Sequence, residues 1–474
     1  MCWFHYNIMG ACMAIISLSK VSFDYDANNN LLNDISVVFN DTDIVAIVGD
    51  NGSGKSTLLK LISGEILPSS GTITRNATIA YLHQLNSHNG VSGGQRQLVE
   101  LSRVFDTHAD ILLLDEPTNN LDANARSVFF EKLFRYHGGA IVVSHDRDLL
   151  RRVSKIIELR NGRLSVYGGN YDFYISIRDG LRESIETKYI DTQKRIARLN
   201  RTMLVAQSTR QHHDAKQRKD ISNSAAGSKM AANALRGKSQ ETESKRRNLI
   251  KRKISEQIEL QKSLSSELRT EQIKIPLPNK SFYPRELVRI ENMGFAYGDK
   301  KIFENFDLNI FGAERILLSG DNGSGKSTLL KLISGEILPT SGTVKTFGKI
   351  TYLNQDLSVL DTKKTIVDNI TEFAGVLQHD AHAIAANFGF RGDAGRKRVS
   401  MLSGGELLRA TLAVVFCSKN QPDLLLLDEP TNNLDITSTE ILENVLNQYS
   451  GAIVLVSHDV EFVSNLNMKK HLKL

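Results

Sequence analysis

The chain of 474 residues has three cysteines, Cys2, Cys12 and Cys417, whose spacing fits neither a disulfide framework nor a cluster-ligand set. A reducing, cytoplasmic setting is the expectation. No apolar run reaches the roughly 20 residues that a membrane-spanning helix needs. The opening MCWFHYNIMGACMAII is apolar but short and has no basic leading region, so it makes a poor secretory signal. Residues 1–12, with the single tryptophan Trp3, read as an upstream start or a disordered tail. A second scarcity is local. From 181 to 274 there is no proline, and the only aromatic ring of Phe, Tyr or Trp type is Tyr189.

What is abundant is repetition. GDNGSGKSTLLKLISGEILPSSGTI starts at Gly49, and GDNGSGKSTLLKLISGEILPTSGTV starts at Gly320. Each copy holds a G-x-x-x-x-G-K-(S/T) loop after an apolar strand (Ile44 to Val48; Arg315 to Ser319) and before an apolar-periodic helix. That context is what a phosphate-binding loop requires. The offset between copies is 271 residues here and at Gln84 and Gln355, becomes 311 at the SGG turns, and ends at 313 at the acidic pairs and histidines. Copy two therefore holds 40 extra residues between its glutamine and its SGG turn. Seven residues separate Gln84 from Ser92, too few for a stable helical subdomain.

The length and the repeat predict an α/β chain of two similar domains, 13–180 and 281–474, around a different segment, 181–280. Residues 181–274 carry 22 Lys and Arg against 11 Asp and Glu, a net of +11 in a chain whose total is +6. Apolar residues recur at steps of three and four: Ile185, Tyr189, Ile196, Leu199 and Met203, then Ile250, Ile254, Ile258, Leu264 and Leu268. This spacing predicts an antiparallel helical hairpin. Its tip falls at the Ser/Ala/Gly-rich stretch from Asn223 to Gly237, and Pro276, Pro278 and Pro284 mark re-entry into a domain. A charge run is often only a solvated coiled-coil face. Here the excess is one-sided, as at Lys216, Arg218 and Lys219 and at Lys245, Arg246, Arg247, Lys251, Arg252 and Lys253. Such an excess suits phosphate backbones, and the lack of aromatics argues for structured RNA over stacked single strands.

The motifs carry a definite chemistry. In Gly49-Asp50-Asn51-Gly52-Ser53-Gly54-Lys55-Ser56-Thr57 and Gly320-Asp321-Asn322-Gly323-Ser324-Gly325-Lys326-Ser327-Thr328, glycines let backbone N–H groups close around phosphates. The following helix adds its positive N-terminal end. A plain glycine turn needs no lysine; Lys55 and Lys326 stand where a β/γ-phosphate would lie, and Ser56 and Ser327 offer hydroxyls to Mg²⁺. ILLLDEPTNNLD and LLLLDEPTNNLD read as buried parallel strands that deliver Asp115-Glu116 and Asp428-Glu429 at their carboxyl ends. Asp115 and Asp428 would hold Mg²⁺ through water, and Glu116 and Glu429 would orient or deprotonate an attacking water. One Asp-Glu pair after a strand is often a solvated turn; this one occurs twice, each time downstream of a phosphate loop.

The order phosphate loop, glutamine, SGG(Q/E), LLLLDEP, SHD resembles the nucleotide-binding domain of ABC ATPases, over both halves of the chain. The resemblance implies two ATP molecules sandwiched between the domains. It implies Gln84 and Gln355 near the metal, His145 and His458 at the γ-phosphate, and Tyr25 and Tyr297 stacked on adenine. It also implies that Ser92-Gly93-Gly94-Gln95 faces the second phosphate loop and Ser403-Gly404-Gly405-Glu406 the first. Copy two departs from the family glutamine at Glu406. Both sites keep their lysine, serine, aspartate, glutamate and histidine, which implies two hydrolytic sites.

Two fused domains and a basic helical linker resemble the ABC-F branch. That implies a monomeric ATPase bound at the tRNA exit site of the ribosome, touching rRNA and tRNA through the linker, in housekeeping translation or antibiotic resistance. The main alternative is the tandem energising subunit of a membrane transporter, where the stretch missing from copy one helps receive the membrane domain. Structural-maintenance and DNA-repair ATPases split one domain with their coiled coil, whereas here the coil joins two. The iron–sulfur recycling ABC protein needs more cysteines.

Overall fold

The computed structural model describes residues 14–25, 30–84, 93–119, 121–222, 245, 248–265, 285–354, 359–417, 421–432 and 434–474. Domain one opens with β1 (Ala14–Asp24) and β2 (Asn30–Asn40); β3 (Ile44–Val48) then feeds α1 (Lys55–Ser63). Next come β4 (Ser70–Arg75), β5 (Ile79–Leu82), α2 (Gly93–Phe105), β6 (Ile111–Asp115) and α3 (Ala123–Phe134). The domain closes with β7 (Gly139–Val143), α4 (Arg147–Arg152), β8 (Lys155–Arg160) and β9 (Arg163–Tyr167). β2-β1-β4 form an antiparallel sheet. The second sheet runs β5-β6-β7-β3-β8-β9, parallel except for β9.

Runs such as ILLLD and GAIVV do not alternate because both faces of their strands are covered. Leu58, Leu59, Leu61 and Ile62 of α1 are fully buried and share one core with Ile16, Leu18 and Phe39 of the antiparallel sheet and Val45, Ile47 and Leu113 of the parallel one. Burying a side chain of this size contributes about 1.5–3 kcal/mol. The phosphate loop is thereby anchored at its helical end in the domain's hydrophobic core.

The helix entering the linker, α5 (Tyr171–Ser222), is 52 residues long, about 78 Å at 1.5 Å per residue. It starts ten residues before the position read from the sequence, 181, because its first turns carry Tyr171 and Tyr174 into the core, 4% and 3% exposed. Residues 248–265 form α6. The chain divides into two compact units, Met1–Tyr174 with Lys274–Leu474, and Ile175–Ile273. Within the second unit Ile185, Tyr189, Ile196, Leu199, Met203, Ile250 and Ile254 are half-buried and Leu264 is buried, whereas Ile258, expected on the same face, is exposed, as are Lys188, Lys194, Arg195, Arg198, Lys251, Arg252 and Lys253. The expected tip at 223–237, Leu268 and the three prolines lie outside the described residues. No described helix is long and apolar enough to cross a membrane.

Domain two repeats the plan with β10 (Glu286–Tyr297), β11 (Lys300–Phe311), β12 (Arg315–Ser319), α7 (Lys326–Ser334), β13 (Ser341–Thr346) and β14 (Ile350–Leu353). The 40-residue excess folds as α8 (Ile366–Ala374), α9 (Gln378–Asn387) and two short 3-10 turns. α8 begins with a reciprocal cap between Thr365 and Asp368 and packs, with α9, on α10 (Gly404–Phe416). Then come β15 (Leu424–Asp428), α11 (Ile436–Gln448), β16 (Ala452–Val456), α12 (Val460–Asn465) and β17 (Lys470–Lys473). Its sheets are β11-β10-β13 and the all-parallel β14-β15-β16-β12-β17. Among the described residues, α2 of copy one has no such cover, and its Leu98 and Val99 are exposed.

Candidate active site

The two phosphate loops match in conformation as well as in sequence. Gly49, Gly52 and Gly54 have φ of 152°, 81° and 103°, and Gly320, Gly323 and Gly325 have 150°, 85° and 103°. A Cβ on Gly49 would lie 2.3 Å from the Leu159 carbonyl oxygen, so no other residue fits there. Lys55 Nζ donates to the carbonyls of Gly49 (2.6 Å) and Asp50 (3.1 Å), and Lys326 Nζ to those of Gly320 (2.8 Å) and Asp321 (3.0 Å). Burial holds the Lys55 ammonium below its usual range. Ser53 Oγ and Ser324 Oγ are buried without a hydrogen-bond partner. Unpartnered hydroxyls beside a lysine at a helix N-terminus fit the phosphates of ATP.

The carboxylates stand one strand away. Asp115 and Asp428 are 3% and 5% exposed. Burial raises the Asp115 carboxyl and a hydrogen bond with Ser56 draws it back, so serine and aspartate meet where Mg²⁺ would be held. Asp428 instead accepts from Tyr352 Oη at 3.0 Å, while the matching Tyr81 Oη has no partner. Glu116 and Glu429 adopt left-handed backbone, φ 49° and 48°, and each N–H donates across the sheet, to Val143 O and Val456 O, at 2.9 Å. A glutamate in this region is strained, and the strain recurs at the same position of both copies. His145 Nε2 lies 3.5 Å from Glu116 Oε1, and His458 Nε2 3.4 Å from Glu429 Oε1. Burial pushes Glu116 up to about 8 and Glu429 up to about 7, and pushes His145 down to about 3 and His458 down to about 4. The imidazoles are neutral at pH 7, so these contacts are not ion pairs. Both ring nitrogens of His145 are buried and unpartnered.

Tyr25 is exposed, with its hydroxyl 3.2 Å from Thr57 Oγ1 in α1, and Tyr297 is exposed edge-on to Phe295. Gln84 is exposed just past β5. Gln355 and Ser92 lie outside the described residues, as does the side chain of Gln95, which follows Gly93 and Gly94 at the start of α2. Ser403 caps α10 and accepts from Glu406 N, while Glu406 Oε2 accepts from Ser403 N. Burial opposes ionisation of Glu406, but that N–H and Lys397 hold its carboxyl below the usual range. The glutamate is thus tied into the helix cap.

The two domains meet at these sites. Asn51 N in the first phosphate loop donates to Asp435 Oδ2 of domain two at 2.9 Å. A Cβ on Gly405 would lie 2.5 Å from Ser438 Oγ and 3.7 Å from Asp435 Oδ2, so the copy-two SGG turn lies against the segment that touches the first loop. At the other end Asp122, Ala123 and Asn124 of domain one line a cavity of about 240 Å³ with Gly320, Asp321, Lys326 and His458. Arg147, 5% exposed, pairs with Glu443 at 2.8 Å and Glu461 at 3.3 Å, and Arg151 also pairs with Glu461. Asp122, Asp435, Arg126 and the tyrosines Tyr81 and Tyr352 were not singled out from the sequence. The signal was there for the aspartates, since NNLD follows DEPT in both copies at the same offset.

The family model for ABC transporters matches residues 32–90, 76–119 and 303–432. The chain is 30% identical to the erythromycin resistance ATP-binding protein MsrA of Staphylococcus epidermidis, over 90% of this chain and 91% of that protein. The chain belongs to the ABC-F family of ABC ATPases. The ribosome protection protein VmlR of Bacillus subtilis is 29% identical over 96% of this chain and 86% of its own length. An archaeal ribosome recycling factor, solved with a ribosomal stalk protein, matches the fold with a TM-score of 0.58 at 18% identity, covering 94% of this chain and 86% of its own. As an ABC-F protein the chain is an ATPase with two tandem nucleotide-binding domains.

Proposed function

We propose that this ABC-F ATPase is a translation factor that binds the ribosome at the tRNA exit site and acts on stalled or antibiotic-blocked ribosomes through its helical linker. The observation that carries the reading is the second unit, long helices with a net charge of +11 over residues 181–274, which in sequence separate the two phosphate-loop repeats. The relative named for ribosome protection supports it. Lysine and arginine on exposed helix faces suit rRNA and tRNA backbones.

At each site Lys55 or Lys326, with the loop N–H groups, would hold the β- and γ-phosphates. Ser56 with Asp115, and Ser327 with Asp428, would hold Mg²⁺, Gln84 and Gln355 completing its surroundings; the ion supplies charge neutralisation on the phosphate oxygens. Tyr25 and Tyr297 would stack on adenine. Glu116 and Glu429 would orient the attacking water and take its proton. His145 and His458, neutral, would hydrogen-bond the γ-phosphate. Ser92 to Gln95 and Ser403 to Glu406 would close each site from the opposite domain, so one chain suffices.

The test is the Glu116→Gln, Glu429→Gln double variant, sedimented with ribosomes in ATP. Retention with the ribosome and loss of hydrolysis are expected. A variant that sediments free, like ATP-depleted wild type, would contradict the ribosomal reading.

A further inference from the structure

Arg126 lies in the first turns of α3, whose N-terminus is capped by Asp122 through Ala125 N at 2.9 Å. Its side chain is 17% exposed. Its Nε stands 3.2 Å from Asp146 Oδ2, a carboxylate of its own domain that also caps α4. Its Nη1 crosses to domain two and donates to the backbone carbonyl of His458 at 3.1 Å. His458 N in turn donates to Glu429 Oε2 at 3.2 Å, and its ring faces Glu429 Oε1 at 3.4 Å. One guanidinium thus lies between Asp146, the carboxylate that follows His145 in domain one and faces it as an ion pair without a hydrogen bond, and the segment that carries the histidine and touches the glutamate of the second site, to which it does donate.

The first site is built differently. The residue 313 positions on from Arg126 is Thr439, which is buried and turns its hydroxyl back onto Asp435 O of its own helix at 3.1 Å. What crosses to the first site is a carboxylate, Asp435, and it goes to the phosphate loop rather than to the histidine segment.

We propose that Arg126 is a positioning residue that domain one supplies to the second nucleotide site, fixing the His458 segment and so the geometry of Glu429, where domain two has Thr439 at the equivalent position. The inference rests on the assignment of Glu116 and Glu429 given above. Arginine suits the task because its planar fork can hold two partners at fixed angles, which a lysine ammonium cannot do as rigidly. Misplacement of a reacting group by about 1 Å can cost on the order of a hundredfold in rate.

The experiment compares Arg126→Thr and Arg126→Lys in the Glu116→Gln background, where the second site turns over, and in the Glu429→Gln background, where the first does. Arg126→Thr is expected to lower kcat at the second site by about ten- to a hundredfold with KM nearly unchanged, and at the first site by less than threefold. Arg126→Lys should recover part of the loss. Independently of nucleotide, the imidazole NMR signals of His458 should shift in Arg126→Thr, and by more than those of His145, whose neighbour Asp146 loses an ion pair but no hydrogen bond. Equal losses at both sites, or a second site that tolerates threonine, overturn the proposal, as does an unmoved His458 signal. If the Glu116→Gln, Glu429→Gln parent still hydrolyses ATP at the wild-type rate, the glutamate assignment fails instead, and the histidine signals still decide what Arg126 does.

Discussion

The two nucleotide sites share 20 consecutive identical residues, from Gly49 to Pro68 and from Gly320 to Pro339, yet they are not equivalent. They differ in what reaches them from outside the repeat. Asp435 bonds the first loop, whereas its counterpart Asp122 lines the second cavity, and the second site also meets a guanidinium, Arg126. Asp428 has a tyrosine donor that Asp115 lacks. The signature helix of copy two is roofed by α8 and α9, whereas that of copy one leaves Leu98 and Val99 exposed. A duplicated motif guarantees the same loop; its working environment is written in the sequence around it.

The comparison can be broken most strongly at the glutamates. Glu116→Gln and Glu429→Gln, taken singly, should each remove one site's turnover, about 10²- to 10⁴-fold in a site-resolved assay. If either single variant silences both sites, they are obligately coupled and the distinction loses its meaning. The next largest effect is expected at the SGG turns. A Cβ at Gly405 would lie 2.5 Å from Ser438 Oγ, so Gly405→Val should impair the Lys55 site by about tenfold or more. A bulky residue at Gly94 should impair the Lys326 site in the same way. Equal loss at both sites from either change would contradict the cross-domain pairing.

Neutralising Lys245, Arg246, Arg247, Lys251, Arg252 and Lys253 leaves both sites intact and removes charge from the linker alone. Ribosome affinity should fall, and its log–log dependence on salt should flatten by about 0.7–0.9 for each RNA phosphate that no longer meets a cation. Basal hydrolysis away from ribosomes should hold, and its loss would show that the linker also aligns the domains. The smallest effect belongs to the tyrosines. Tyr352→Phe removes a hydrogen bond to a carboxylate and should weaken the second site by about 1.5–3 kcal/mol at most. Tyr81→Phe removes a hydroxyl that bonds nothing and should be neutral or slightly stabilising by thermal melt.

Much of this was legible in the chain. The loops, the buried acidic strands and the missing subdomain followed from offsets between copies, because identical local sequence in identical context folds alike. The linker face was legible from Ile185, Tyr189, Ile196, Leu199 and Met203, which are half-buried at the spacing that suggested helix. Glu406 was read as a departure from the family, although Ser403-Gly404-Gly405-Glu406 is itself a capping-box pattern that its geometry now shows. The left-handed backbone of Glu116 and Glu429 leaves no periodic trace, since residue type gives no hint of it. Nor does the reach of Arg126, which depends on how two distant segments meet.

The lysine of each loop has a resting place. Two carbonyls of its own loop hold the ammonium at both sites and brace the cradle from within. An arriving nucleotide therefore exchanges one set of oxygen acceptors for another and does not have to order a floppy loop.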